Sequence, residues 1–93
     1  MFIELTILYP FKSTYKKIIH LLESQKKELE LSNKCIEYSI YKDTYSNKVF
    51  YMIKWKSKEI MKNIIDNEKH KKIVEEMLSL QKFPAEVYHL EEN

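Results

Sequence analysis

Glycine is missing from all 93 residues of the sequence, whereas average usage of about 7% would supply roughly six. Nucleotide phosphates are commonly bound by glycine-rich loops, of which the Walker A loop and the GxGxxG turn are the main examples. Neither loop can be built from this sequence. Nucleotide binding by these routes is therefore excluded.

Cysteine is nearly as scarce as glycine. Cys35 is the only one, so it cannot form an internal disulfide, and no CxxC motif or Cys/His cluster accompanies it to bind zinc. The simplest interpretation of Cys35 is a small buried hydrophobic residue. We therefore expect no metal site, and a reducing cytoplasm as the location.

No long apolar run and no excess of one charge sign is present either. The 16 basic and 14 acidic residues give a net charge of +2 and are scattered along the chain, which favours neither a nucleic acid nor a membrane as partner. No apolar run approaches the ~18 residues of a membrane span. Residues 1–6 include Glu4 and lack a basic leader, so they do not read as a signal peptide.

What is present is the composition of one soluble globular domain covering residues 1–93, with 44% hydrophobic and 32% charged residues. Apolar residues alternate in four segments, which predicts strands, and recur at helical spacing in two others. The predicted strands are 2–9, 35–41, 49–55 and 85–90, and the predicted helices are 12–31 and 57–84, the latter interrupted at Asp66 and Asn67.

Several residues mark where these elements begin and end. Ser13 and Ser57 are predicted N-caps of the two helical stretches, and Pro84 ends the second. Asn33 is the predicted stop of the first helix, because asparagine is the best substitute for glycine in the left-handed conformation. The segment 43–47 is rich in turn residues and joins two strands into a hairpin.

The order strand, helix, strand, strand, helix, strand predicts a ferredoxin-like α+β fold, with a four-stranded antiparallel sheet and both helical stretches on one face. Because successive side chains of a strand point to opposite faces, the alternation also predicts which side chains lie on the open face, the face of the sheet that the helices do not cover. These are Phe2, Leu8, Phe50, Met52, Tyr88 and Leu90. A large apolar patch of this kind is a liability in water, so we expect a second copy of the chain or a ligand to cover it.

Residues 48–55 partly resemble the third-strand motif of the RNA recognition module, which requires small residues and a second stacking aromatic. Val49 and Tyr51 occupy the small positions, and Met52 replaces the aromatic. Three acidic residues are also expected on the open face, namely Glu4, Glu37 and Glu86. Because they would repel a phosphate backbone, RNA binding is the least favoured alternative.

A second resemblance covers nearly the whole chain. Residues 35–43 and 50–59, the helix through His70 and the closing residues 84–87 resemble the antibiotic biosynthesis monooxygenase family. In that family a cysteine opens the second strand and a tyrosine-containing strand follows. A tryptophan then ends the third strand directly before a serine-capped acidic helix, as Trp55 and Ser57 do here.

The resemblance implies a homodimeric α+β barrel, in which two sheets meet face to face and hide Phe2, Phe50, Met52, Tyr88 and Leu90. Some members oxidise phenols or quinols with molecular oxygen and without a metal, a flavin or any other cofactor. Such a reaction needs a dry apolar pocket, a base for the phenol and hydrogen bonds that hold the anion. The expected partner is accordingly a small aromatic substrate.

His70 is the predicted catalytic base, because it lies three, four and seven positions before apolar residues and so falls on the buried stripe of its helix. The alternative is a histidine at the helix edge with one hydrogen bond. The predicted substrate-binding residues are Thr6, Tyr38, Tyr51, Trp55 and Ile64. For the three aromatic residues, core packing alone is the competing interpretation.

The sequence also departs from the family at three positions. Ile64 stands where many members have a histidine, and Lys54 stands where an acidic residue is common. The iron-binding histidine of the haem-degrading relatives falls at about Val74, which argues against haem degradation. We therefore interpret the chain as a cofactor-independent monooxygenase, with a non-catalytic dimer that binds a small ligand, or serves only in assembly, as the alternative.

Overall fold

Seven elements make up the fold, in the order expected from the sequence, with the second helical stretch divided in two. The structure, a computed structural model, describes residues 2–92. The elements are β1 (Phe2–Leu8), α1 (Tyr15–Leu31), β2 (Cys35–Lys42), β3 (Val49–Trp55), α2 (Lys58–Ile65), α3 (Glu68–Ser79) and β4 (Glu86–Glu91).

The four strands form one antiparallel sheet in the order β2-β3-β1-β4. This order is that of a ferredoxin-like sheet, with the first and third strands at the centre, and it confirms the predicted α+β fold. In the central pair, Thr6 lies opposite Tyr51 and Leu8 lies opposite Val49. This register decides which side chains face the helices.

All three helices pack on one face of the sheet and bury two apolar clusters. The first, here called the Trp55 cluster, consists of Leu29, Cys35, Tyr38, Ile53, Trp55 and Met61. The second, here called the Leu8 cluster, consists of Leu8, Ile18, Leu22, Val49 and Met77. Within residues 2–92, no helix combines the length and the apolar character needed to cross a bilayer.

Phe2 and Leu8 lie on the helix-facing side of the sheet, so their predicted place on the open face is wrong. Leu8 is 2% exposed inside its own cluster, and Phe2 packs against the Trp55 cluster. The reason is the register of β1, which pairs Phe2 with Trp55 and Leu8 with Val49. Phe2 therefore cannot contribute to an interface formed by the open face.

The open face instead takes its β1 residues from the alternate positions. Ile3, Leu5 and Ile7 pair with Lys54, Met52 and Phe50 of β3. On the other side, Ile3 pairs with Leu90 and Leu5 with Tyr88 of β4. Four of the five residues predicted for the interface thus share one apolar surface, namely Phe50, Met52, Tyr88 and Leu90.

The helix starts follow the predicted caps in one case of two. Ser57 Oγ accepts a hydrogen bond of 3.1 Å from the amide of Ile60 and so caps α2, as expected. The predicted cap Ser13 is wrong, because α1 begins after Thr14. The Thr14 hydroxyl does not cap the helix and donates instead to the carbonyl of Leu80 at 2.6 Å.

The break predicted at Asp66 and Asn67 is a boundary between two helices. Asp66 is the C-cap of α2. Asn67 Oδ1 accepts a hydrogen bond of 2.8 Å from the amide of Lys69 and caps α3. A new helix therefore starts at Glu68 and places His70 in its first turn.

Asn33 ends α1 in the left-handed conformation, with φ of 57°. Its amide donates to the carbonyl of Glu30, and the amide of Lys34 donates to the carbonyl of Leu29, both at 3.1 Å. These two bonds define a Schellman motif, whose left-handed position glycine usually fills. In a chain without glycine, asparagine takes that place, as the sequence predicted.

The cost of this conformation can be measured at Asn33. Asn33→Val places a branched side chain at positive φ, which should lower the free energy of unfolding by about 1–2 kcal/mol. Asn33→Gly is the matched control and should leave it unchanged or slightly raised, because glycine adopts this conformation freely. Urea unfolding of the three proteins checks both values, and equal stabilities for the valine and glycine variants would contradict the assignment.

Candidate functional site

A cavity of about 270 Å³ lies between the helix-facing side of the sheet and α3. Its floor comes from β1 and β3, its wall from one side of α3, and its far end from Gln81, Pro84 and Ala85. Most of the lining is apolar. Five polar side chains interrupt it, namely Thr6, Gln25, Tyr51, His70 and Gln81.

Three of these polar side chains are held together at one end of the cavity. Thr6 and Tyr51 are cross-strand partners. The ring of Tyr51 stacks on that of buried Tyr38, with centroids 5.7 Å apart and planes inclined by 9°. The Tyr38 hydroxyl donates a hydrogen bond of 2.6 Å to Gln25 Oε1. These contacts fix a polar end, defined here as Thr6, Gln25, Tyr51 and the neighbouring His70.

Two buried polar atoms at this end have no hydrogen-bond partner within residues 2–92, Thr6 Oγ1 and His70 Nδ1. Thr6 is only 1% exposed. Buried hydroxyl and imidazole groups are almost always paired with protein, water or a ligand. The polar end therefore offers unused hydrogen-bonding capacity toward the cavity.

The two titratable side chains of the polar end are both uncharged near neutral pH. Burial lowers the pKa of His70, so its imidazole is neutral and can accept a proton. Burial and the carboxylate of Glu4 raise the pKa of Tyr51 above its ordinary value. Tyr51 therefore stays protonated and can donate a hydrogen bond.

The opposite end of the cavity is apolar and closed. Gln81 Oε1 accepts a bond of 2.9 Å from the amide of Tyr9, and Gln81 Nε2 donates one of 3.1 Å to the carbonyl of Met77. Both amide atoms are thus occupied in joining the end of β1 to the end of α3. Leu8 and Met77, exposed by 2% and 7%, fill the space beside them.

The mouth of the cavity lies between α3 and β4. Val74, Leu78 and Val87 line it and are about half exposed, at 52%, 57% and 50%. An apolar rim of this kind admits an apolar molecule from the side of the domain. Charged groups are absent from the lining as described for residues 2–92.

The structure brings together three of the residues predicted to form the site, since Thr6, Tyr51 and His70 all line the cavity. Tyr38 lies behind Tyr51 and does not line it. Ile64 lines a smaller cavity of about 90 Å³, which shares His70 with the larger one. The roles assigned to these residues stay predictions.

Trp55 is separate from the cavity, although the pocket was expected beside it. It is 2% exposed and belongs to the Trp55 cluster, and its Nε1 has no partner among the described residues. The register places it opposite Phe2, four residue pairs further along β3 than Tyr51. Core packing, the competing interpretation, accounts for its position.

Glu4 is the polar residue that sequence reasoning misplaced. It was expected on the open face, yet it is 5% exposed on the helix-facing side. Its carboxylate lies 3.5 Å from Nε2 of His89, its cross-strand partner on β4. His89 in turn stacks on Phe2 at 6.0 Å. The sequence does contain a signal for the position of Glu4. Glu4 and Thr6 are two residues apart in β1, so their side chains lie on the same face of the strand.

Burial dominates the charge state of Glu4. Desolvation raises its pKa, and the opposing attraction of His89 does not cancel that effect. Glu4 also contributes to the raised pKa of Tyr51 and of Tyr38. The helix-facing side of β1 therefore carries a buried acid directly beside the polar end of the cavity.

Among the described residues, no three side chains of His, Cys, Asp and Glu lie together so as to hold a metal ion. His20, on α1, is exposed. The chemistry that this arrangement allows is proton transfer to His70 and hydrogen bonding by Thr6 and Tyr51 inside an apolar cavity.

No protein-family model matches the sequence, and no curated protein is similar to it. Solved structures are similar along the whole chain. An antibiotic biosynthesis monooxygenase superposes with a TM-score of 0.86 at 11% identity, over 100% of this chain and 99% of that one. A protein from Mycobacterium tuberculosis gives a TM-score of 0.88 at 12% identity, over 99% and 94%.

A monooxygenase from Streptomyces coelicolor, solved with the ligand nanaomycin D, is also similar. Its TM-score is 0.83 at 13% identity, over 99% of this chain and 87% of that chain. At such low identities the likeness concerns the fold. The chain has the fold of the antibiotic biosynthesis monooxygenase structures, as the sequence resemblance implied.

The charge state of Glu4 leads to a prediction about stability. Because burial raises its pKa, the folded chain resists losing this proton, so the contribution of Glu4 to stability falls as the pH rises. Glu4→Gln should therefore be more stable than the wild type at pH 8, with a difference that shrinks as the pH falls below about 4 and the side chain becomes protonated in both states.

Urea unfolding at several pH values measures this difference. Glu37→Gln is the matched control, because Lys54 lowers the pKa of that exposed carboxyl and so gives the opposite sign. A Glu4→Gln variant that is clearly less stable than the wild type at pH 8 would show that the pair with His89 outweighs burial.

Proposed function

We propose that this chain is a cofactor-independent monooxygenase that oxidises a phenolic or quinol-type aromatic substrate with molecular oxygen. The observation that supports it best is an apolar cavity with a buried, unpartnered hydroxyl and a neutral imidazole at one end. A neutral base and hydrogen-bond donors in a dry cavity are what phenol deprotonation requires.

In the proposed reaction His70 accepts the proton of the substrate hydroxyl, and the phenolate is held by hydrogen bonds from Thr6 Oγ1 and the Tyr51 hydroxyl. The electron-rich ring then reduces dioxygen directly. One oxygen atom bonds to the ring carbon, and the other leaves as water with the two displaced hydrogens, so that a phenol and O2 give a quinone and water. A quinol would be oxidised to its quinone in the same cavity, with O2 reduced to hydrogen peroxide.

In the proposal, the other predicted substrate-binding residues support the residues that contact the substrate and do not contact it themselves. Tyr38 sets the plane of Tyr51 by stacking and fixes Gln25 by its hydrogen bond. Ile64 closes the smaller cavity beside His70. Trp55 supports the sheet from the core.

We further propose that two copies form an α+β barrel through the open face of the sheet. Its apolar side chains are Ile3, Leu5, Ile7, Phe50, Met52, Tyr88 and Leu90. Tyr88 and Leu90 are 45% and 44% exposed. A contiguous surface of seven apolar side chains favours a protein partner. A single domain of residues 1–93 in a reducing cytoplasm is consistent with a free, buried Cys35.

A ligand-binding dimer without turnover is the second candidate, and one observation favours it. Within residues 2–92, the cavity lining contains one histidine, His70, and no carboxylate. A single neutral base without a partner acid is compatible with binding alone. RNA binding is the third candidate, and Glu37 and Glu86 on the open face disfavour it.

The role of His70 can be tested by oxygen uptake with a panel of phenols and quinols. His70→Gln should lower uptake by about 10²–10⁴-fold, the usual contribution of a general base. His20→Gln, at an exposed histidine of α1, is the matched control and should keep the wild-type rate. Wild-type uptake by His70→Gln would remove His70 from the mechanism.

The pH dependence of uptake gives an independent check on the same residue. Burial lowers the pKa of His70, so the base is lost only as the pH falls below the ordinary histidine value of about 6.5. Uptake should therefore be level above that value and fall on the acid side of it. A midpoint clearly above 6.5 would point to a different titrating group.

The proposed dimer can be tested by light scattering. The wild type should have twice the chain mass of 11.4 kDa at micromolar concentration. Phe50→Asp should give a monomer or unfold, because a buried unpaired charge costs several kcal/mol. Tyr45→Asp is the control, since Tyr45 is 95% exposed in the hairpin turn, and a dimer that survives Phe50→Asp would reject this interface.

A further inference from the structure

We propose, on the premise of the proposed function, that the cavity selects phenols or quinols of one or two rings. The substrate hydroxyl lies at the polar end, beside Thr6 and Tyr51, and the hydrocarbon edge of the ring lies against Leu8, Met77 and Ala85. Four features of the cavity carry this inference: its volume, its closed apolar end, its polar end and its exposed rim.

The volume limits the number of rings. The cavity measures about 270 Å³, whereas an engineered apolar cavity of about 150 Å³ is large enough to hold benzene. The present cavity is thus less than twice as large as one that holds a single ring. A second fused ring therefore fits inside, and a third one exceeds this volume and has to extend into the mouth of the cavity.

The apolar end cannot lengthen to accommodate a larger molecule. Gln81 is fixed there by the amide of Tyr9 and the carbonyl of Met77. Leu8 and Met77 are almost fully buried in the Leu8 cluster, so moving either would disrupt close packing. The length available between the polar end and this wall is set by the core itself.

The polar end determines the orientation of the substrate. Thr6 is 1% exposed, and its Oγ1 has no partner within the described chain, so a ligand hydroxyl placed there satisfies a group that is otherwise orphaned. Tyr51 lies opposite Thr6 in the register and is held by stacking on Tyr38. Among the described residues, the other end offers no comparable free polar group, because Gln81 is already bonded there.

The rim gives a longer molecule less binding than the interior of the cavity does. Val74, Leu78 and Val87 are each about half exposed, so a ring that projects between them contacts apolar side chains but keeps part of its surface in water. Because apolar binding follows the area removed from water, rings beyond the second should add little affinity.

Calorimetric titration under anaerobic conditions tests this inference without turnover. The probes are phenol, naphthol and anthrol, which carry one, two and three rings. Naphthol should bind about tenfold more tightly than phenol because a second ring is buried. Anthrol should bind no more tightly than naphthol.

Two variants test the two ends of the cavity. Ala85→Leu fills the apolar end and should weaken naphthol about tenfold while phenol keeps its affinity. Leu31→Ala, at an exposed leucine outside the cavity lining, is the control and should change neither. Thr6→Val removes the hydroxyl and keeps the shape, so it should weaken naphthol severalfold and leave naphthalene unchanged.

The outcomes separate this inference from the proposed function. If anthrol binds more tightly than naphthol, the size limit is wrong although the site stands. If naphthol binds as described but consumes no oxygen when air is admitted, the size limit holds and the monooxygenase proposal fails. If none of the three probes binds, both are overturned.

Discussion

The pairing of β1 with β3 is the constraint on which the cavity, the core and the open face all depend. Because Thr6 lies opposite Tyr51, every second residue from Phe2 to Leu8 faces the helices. Two polar side chains, Glu4 and Thr6, are thereby taken out of water. A one-residue shift would exchange the two faces of the strand, and would replace these polar groups by isoleucine and leucine.

Burial of polar groups is unfavourable unless each finds a partner. Glu4 finds one in His89, at 3.5 Å. Thr6 has none among the described residues, and it is the side chain that reaches the cavity. The strand thus departs from the usual division into apolar inside and polar outside at the place where a ligand site requires it, which is where such departures are expected.

The helices were predictable because their signals are local. The caps of α2 and α3 and the left-handed Asn33 depend on side chains within a few residues of the helix ends. The start of α1 was not, because Thr14 bonds to the distant carbonyl of Leu80 and no sequence spacing reveals that contact. Similarly, the place of Gln81 between Tyr9 and Met77 depends on two segments that are far apart along the chain.

The sequence by itself determined the order of the elements, the ferredoxin-like α+β fold and three of the residues that line the cavity, because periodicity, caps and turns are properties of neighbouring residues. Only the tertiary structure decided which face of β1 turns inward. An alternating pattern such as Ile3-Glu4-Leu5-Thr6-Ile7 states that the faces differ and cannot state which one the helices cover. The inward face was settled by hydrogen-bonded pairing with β3 and β4, and with it the positions of Glu4, Phe2 and the cavity beside His70.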